Sequence, residues 1–179
     1  WTALTLWAQY FGTPFRQENK IGDSNLKALL IFNPDPIYNL DLQVCQAMAA
    51  GLNEKGINTV ISTTKLIEEK DTIYNLYVLV TNTYNWAPDW LVINYIEESA
   101  HLKGKQVVAL TLRSGSTATA QKKLEKSLEK RGASVLHSQS LWLMKPNDED
   151  KMEDKNTDVA KEISRNLGLK IGAELKIIQ

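Results

Sequence analysis

A single cysteine, Cys45, rules out an internal disulfide, and two isolated histidines with no Cys or His cluster leave no metal-ligand spacing to read. The lone thiol fits a reducing compartment, and its position on the apolar face of an expected helix assigns it to packing. Net charge is missing as well: 21 Lys and Arg balance 21 Asp and Glu. A duplex-binding protein carries a basic excess, so no nucleic-acid partner is expected. The chain has no G-x-S-x-G, Walker or G-x-G-x-x-G motif, and neither His101 nor His137 has a Ser or Cys partner at a recognisable elbow. Both histidines read as structural or surface residues, and no catalytic residue is assigned. There is no internal repeat and no low-complexity tract.

What is present is an ordinary globular composition. The chain has 179 residues, 43% of them hydrophobic and 23% charged, enough for one domain with a sizeable core. The first fifteen residues are unusually aromatic, with Trp1, Trp7, Tyr10, Phe11 and Phe15. This stretch is too short to span a bilayer, which takes about 20 residues, but aromatic clusters favour membrane interfaces. It reads as a helix that docks on the domain or on a partner chain, a homodimer included. The sharper reading is the juxtamembrane end of a missing N-terminal anchor, since the chain begins at Trp1 and not Met. The expected location is cytoplasmic, with membrane association through such an anchor. Gln17 to Asn25 is polar and reads as a linker, which divides the chain into a segment 1–25 and a domain 26–179.

From there the pattern is regular. Lys27 to Phe32 is a short continuous apolar run, suited to a strand buried on both faces of a parallel sheet. Asn33-Pro34-Asp35-Pro36 must be a loop. Asp41 to Lys55 is a helix with Leu40, Val44, Met48 and Leu52 aligned, stopped by Gly56. Asn58 to Ser62, Leu76 to Thr81 and Gln106 to Thr111 follow as strands two, three and four. Ser134 to His137 begins the fifth, and Ser140 to Met144 continues it. Pro88 suits the first turn of a helix running to about Ser99, and Thr117 to Arg131 is a helix with a mixed-charge solvated face. Asn147 to Asn156 is acidic and expected to be mobile. Asp158 to Leu167 is the last helix, and pattern alone does not determine Leu169 to Gln179. Alternating strands and helices predict an α/β domain: a three-layer, doubly wound, five-stranded parallel sheet. Ligands of such sheets bind beyond the carboxyl ends of the strands, which selects the loops 33–39, 81–88 and 112–117.

The first of these loops offers Asn33, Asp35, Tyr38 and Asn39. It has two prolines and no Gly, Ser or Thr, and Asp35 and Asp41 work against a phosphate. The second, Thr81-Asn82-Thr83-Tyr84-Asn85-Trp86-Ala87-Pro88, offers hydroxyls, amides and two large aromatics. Tyr84 and Trp86 can lie against a planar ring, or they can cover the end of the core. The third, Arg113-Ser114-Gly115-Ser116-Thr117, is small and leads into a helix. Its groups suit carbonyls or an anion, with Arg113 as a partner for phosphate, and Ser116 or Thr117 can also cap the helix.

The second and third loops resemble the flavodoxin superfamily over roughly residues 27 to 168. Thr-Asn-Thr-Tyr-Asn-Trp-Ala-Pro is similar to the Pro/Thr-x-Tyr loop beside the flavin ring, and Leu102-Lys103-Gly104-Lys105 with Ser114-Gly115-Ser116 is similar to the next strand–helix unit. The resemblance implies the flavodoxin-like fold and non-covalent FMN. Its phosphate would lie in Asn33 to Asn39, and its ring would lie beside Thr83, Tyr84, Asn85, Trp86, Ser114 and Gly115, with Thr81 and Arg113 flanking. It also implies electron transfer, or reduction by NAD(P)H, with a redox partner protein or NAD(P)H as partner. The Asn-Pro-Asp-Pro loop looks closer to the His-Pro/Asn-Pro loop of flavodoxin-like quinone and FMN reductases than to a Ser/Thr/Gly-rich one. The alternative is a flavodoxin-like module without cofactor, serving in assembly or membrane association. A receiver domain of the same fold would want an acidic pair after the first strand and an Asp after the third, where this chain has Thr81-Asn82.

Overall fold

The computed structural model describes residues 7, 10–113 and 117–177. Among them the chain runs β1 (Arg16–Asn19), β2 (Lys27–Phe32), α1 (Leu40–Glu54), β3 (Asn58–Thr63), β4 (Leu76–Tyr84), β5 (Ala87–Pro88), α2 (Trp90–Glu98), β6 (Gln106–Arg113), α3 (Ala118–Arg131), β7 (Ser134–Trp142) and α4 (Asn156–Ile177). The sheet order is β1-β3-β2-β4-β6-β7, with β5 paired to β4. The pairs β3–β2, β2–β4, β4–β6 and β6–β7 are all parallel.

The apolar run of β2 is explained by its two buried faces. Ala28, Leu30 and Phe32 pack with Val44, Cys45, Met48 and Leu52 of α1 and Leu167 and Ile171 of α4. The alternate residues Leu29 and Ile31 pack with Val92 and Ile96 of α2 and Leu124 and Leu128 of α3. A strand between two helical layers has no polar face, so its sequence shows no alternation. Cys45 is buried among these side chains, and burial pushes its thiol pKa up.

Seven strands replace the expected five. β1 overlaps the start of the stretch read as a linker, with Arg16 just ahead of it. Its Arg-Gln-Glu-Asn sequence carries no apolar signal, and it pairs antiparallel with β3 at the sheet edge. The Arg16 guanidinium clamps the buried Asp71 carboxylate at 2.8 and 3.0 Å. Burial pushes the Asp71 pKa up, but Arg16, together with hydrogen bonds from the Glu68 amide and the Tyr74 hydroxyl, holds it below its ordinary value. The loop read as 81–88 is a hairpin. β4 runs on to Tyr84, Asn85-Trp86 make the turn, and β5 returns with Thr83 opposite Pro88. Pro88 therefore closes a strand pair, and α2 starts after it, capped by Asp89. The fifth strand is one piece, kept continuous by a register shift between Val107 and Val108 of its neighbour. The acidic stretch before α4 is pinned at both ends: Asn147 donates to the Trp142 carbonyl at 2.8 Å and to Asn156 Oδ1 at 2.8 Å. α4 runs ten residues beyond Leu167, to Ile177. Gly168 and Gly172 obscured this continuation, yet close helix packing is what they serve. A side chain on Gly168 would strike the Met48 carbonyl and approach the Leu52 amide to 3.1 Å, so α1 and α4 meet backbone to backbone.

Candidate ligand site

The carboxyl ends of β2 and β4 carry a buried polar network. Asn33 directly follows β2 and donates from Nδ2 to Asp89 Oδ2 at 2.8 Å. Asn82 of β4 donates from Nδ2 to Asp41 Oδ2 at 2.8 Å and to the Asn33 carbonyl at 3.3 Å. Thr81 Oγ accepts the Asp89 amide at 2.9 Å and donates to the Asn82 carbonyl at 3.0 Å. Asp89 also caps α2 by accepting from the Leu91 amide at 2.8 Å. Asp41 and Asp89 have no exposed surface. Burial pushes each carboxyl up to about 6, against the lowering effect of hydrogen bonds from Asn82 on Asp41 and from Asn33 on Asp89.

The first loop is built by its own carboxylates. Asp35 Oδ1 accepts the Ile37 amide at 2.7 Å and the Tyr38 amide at 3.3 Å. Asp41 Oδ2 accepts the Asp35 amide at 2.6 Å, and Asp41 Oδ1 accepts its neighbour Leu42 at 2.8 Å. Asn39 precedes α1 in the left-handed region, φ 51°, and makes no side-chain cap. The Ile37 and Tyr38 side chains are exposed. Outside this loop lies the segment before β1. Gly12 packs on Pro34 so closely that an added Cβ would meet the Pro34 carbonyl at 2.6 Å. Tyr10 meets Trp90 edge-on at 5.2 Å, Phe15 meets Phe32 at 6.4 Å, and the Lys65 ammonium donates to the Tyr10 carbonyl.

The hairpin places Trp86 differently from Tyr84. The Tyr84 hydroxyl is buried, and its pKa is raised by burial and then by Asp35, Asp89 and Asp41. Trp86 is 61% exposed. Asn85 and Trp86 both have positive φ, 49° and 60°, as a two-residue type I′ turn demands. Arg113, the last residue of β6, lies over the Trp86 ring at 5.5 Å. Thr83 Oγ and Thr111 Oγ are buried without a hydrogen-bond partner at the ends of β4 and β6. Ser114 and Gly115 lie outside the described residues, as does Ser116. Thr117 does not cap α3; its hydroxyl donates to Ser140 Oγ at 2.6 Å.

Asn33, Asp35, Thr81 and Tyr84 are thus drawn together with Asp41, Asn82 and Asp89, and Trp86 with Arg113. Tyr38 and Asn39 stay at the rim. The sequence reading did not select Asn82 or Asp89 for the site. Their signals were faint: a polar residue where a strand should still be apolar, and an acidic residue directly before a helix. His101 sits against Tyr95, 3.2 Å from its hydroxyl, and His137 against Gln139 at 3.1 Å. Among the described residues no group of three or more His, Cys, Asp or Glu is placed to hold a metal ion, and no helix is long and apolar enough to cross a membrane.

A phosphate bound at a helix N-terminus needs free backbone N–H groups. Here the amides of Asp35, Ile37, Tyr38 and Leu42 are already taken by Asp35 and Asp41, with Asp89 behind them. Two like charges 4 Å apart repel by about 4 kcal/mol at an effective dielectric near 20. The first loop does not fit the phosphate of FMN.

The parallel strands alone run in the order 2-1-3-4-5, one of the two common doubly wound orders. An archaeal flavodoxin superposes with a TM-score of 0.68 over 84% of this chain and 99% of its own, at 13% identity. The fold is flavodoxin-like. The flavodoxin of Megasphaera elsdenii matches at 0.57 over 77% of this chain and 98% of its own, at 14% identity. A WrbA-like flavodoxin from Agrobacterium tumefaciens matches at 0.59 over 87% and 100%, at 11% identity. The sequence matches no family model and no curated protein. At such identities the flavodoxin-like likeness is one of backbone.

Proposed function

We propose that this chain is a flavodoxin-like module that works without FMN held in its first loop, and that it acts by association through its aromatic end and not by electron transfer. One observation carries the reading: four backbone amides of the first loop and the start of α1, those of Asp35, Ile37, Tyr38 and Leu42, are satisfied by the chain's own carboxylates. Supporting it, Tyr10 and Phe11 stand exposed next to Gly12, which packs on Pro34, and Ile37 and Tyr38 of that loop are exposed too. An exposed aromatic and aliphatic cluster of this kind suits a protein partner or a membrane interface. The test is an FMN titration of the purified chain, followed by flavin fluorescence. The reading predicts no saturable quenching.

A second reading, a redox flavoprotein served by NAD(P)H or a partner protein, draws on a different observation. Trp86 is held exposed in a left-handed turn beside Arg113, and the buried hydroxyls of Thr83 and Thr111 at the same ends of β4 and β6 have no hydrogen-bond partner. Residues held in strained backbone conformations gather at ligand sites. In this reading Trp86, Thr83 and Arg113 would flank a planar ring, and the bound flavin would supply the redox chemistry. Saturable quenching at one equivalent of FMN would favour it.

A further inference from the structure

We infer that Asp41 is the residue that keeps phosphoryl ligands out of the first loop; the inference rests on the reading that FMN is not held there. Its two oxygens bridge the amide of Asp35 on the loop and the amide of Leu42 on α1, and the Asn82 side chain holds it from β4 at 2.8 Å. A tetrahedral anion entering this loop would need those same donors and would meet a carboxylate with no exposed surface. Asp35 adds a second negative charge, but it serves its own turn through Ile37 and Tyr38 and leaves the Asp41 donors untouched. The two donors that join the loop to α1, the Asp35 and Leu42 amides, are therefore withheld by one side chain. Asp41→Ser removes the charge and frees two amides, while Asp41→Asn removes the charge and keeps the shape.

The experiment titrates FMN, riboflavin and inorganic phosphate separately into the full chain and into both variants. Fluorescence reports the flavins, and the thermal midpoint reports phosphate. The inference predicts that Asp41→Ser binds FMN at least about tenfold more tightly than the unchanged chain, as loss of a like charge at this range demands. Riboflavin, which lacks the phosphate, should not change. Phosphate should raise the midpoint of the variant alone. Should Asp41→Ser not fold, Asp41→Asn carries the test with the same direction and a smaller gain. A folded variant with no gain for FMN or phosphate overturns the inference and leaves the reading of the unchanged chain standing. Tight FMN binding by the unchanged chain overturns both.

Discussion

Asp41 and Asp89 are carboxylates without exposed surface, so charging them in the folded chain is costly. Both have folded pKa values raised from 3.8 to about 6. A raised folded value means that the group's stabilising contribution is full below pH 4 and is lost as pH climbs through 6. For Asp89→Asn, which keeps the helix cap, the account predicts that stability relative to the unchanged chain rises between pH 4 and pH 7. The gain is on the order of 3 kcal/mol, read from urea unfolding at each pH. A flat difference would show that Asp89 is not the buried charge described. Trp86 gives a second expectation. A bulky residue in the left-handed region costs about 1–2 kcal/mol, and an exposed cation–π contact returns about 0.5–1. Trp86→Gly, which yields the favoured Asn-Gly type I′ pair, should therefore stabilise the chain by about 1 kcal/mol in thermal unfolding. At this scale the sequence disclosed the right loops but not the wiring. Asp35 and Asp41 were legible as hostile to phosphate, whereas Asn82 and Asp89 matter through partners 41 and 56 residues away, which no local pattern reveals.

The elements that sequence pattern identified well are those buried on both sides. β2, β4 and β6 announced themselves as apolar runs because neither face meets water. Those it missed answer to long-range contacts. β1 is polar because it is an edge strand, and what fixes it is the Arg16–Asp71 clamp, 55 residues apart. The second half of α4 looked irregular because glycine disfavours helix interiors by about 1 kcal/mol, and its value appears only where α4 crosses α1. That crossing supplies a sharp test. Gly168→Ala adds one methyl against the Met48 carbonyl and the Leu52 amide. Helix propensity alone favours the alanine, but overpacking costs about 1–3 kcal/mol, and backbone atoms on both sides cannot yield cheaply. The account predicts a net loss of about 2 kcal/mol in chemical denaturation; a gain would mean that the helices are further apart than described.

At the scale of the whole molecule, the flavodoxin-like fold and the ligand-binding edge of its sheet answer different questions. The parallel order and the two apolar layers reproduce the backbone of flavodoxins with hardly any shared sequence, which is what a fold set by burial pattern allows. The edge has a different character. Its first loop is closed from within by Asp35 and Asp41 and covered from outside by the segment at Gly12, while Tyr38 and Trp86 face outward. Five alternating units made the architecture readable in advance. The state of the loop was not readable, because it depends on which amides each carboxylate reaches in three dimensions. The most direct measurement is the FMN titration of the unchanged, full chain near neutral pH. The account predicts unaltered flavin fluorescence with protein in excess of 100 μM, on the order of a Kd weaker than that. Quenching that saturates at one FMN per chain with a Kd of about 1 μM or below would contradict it.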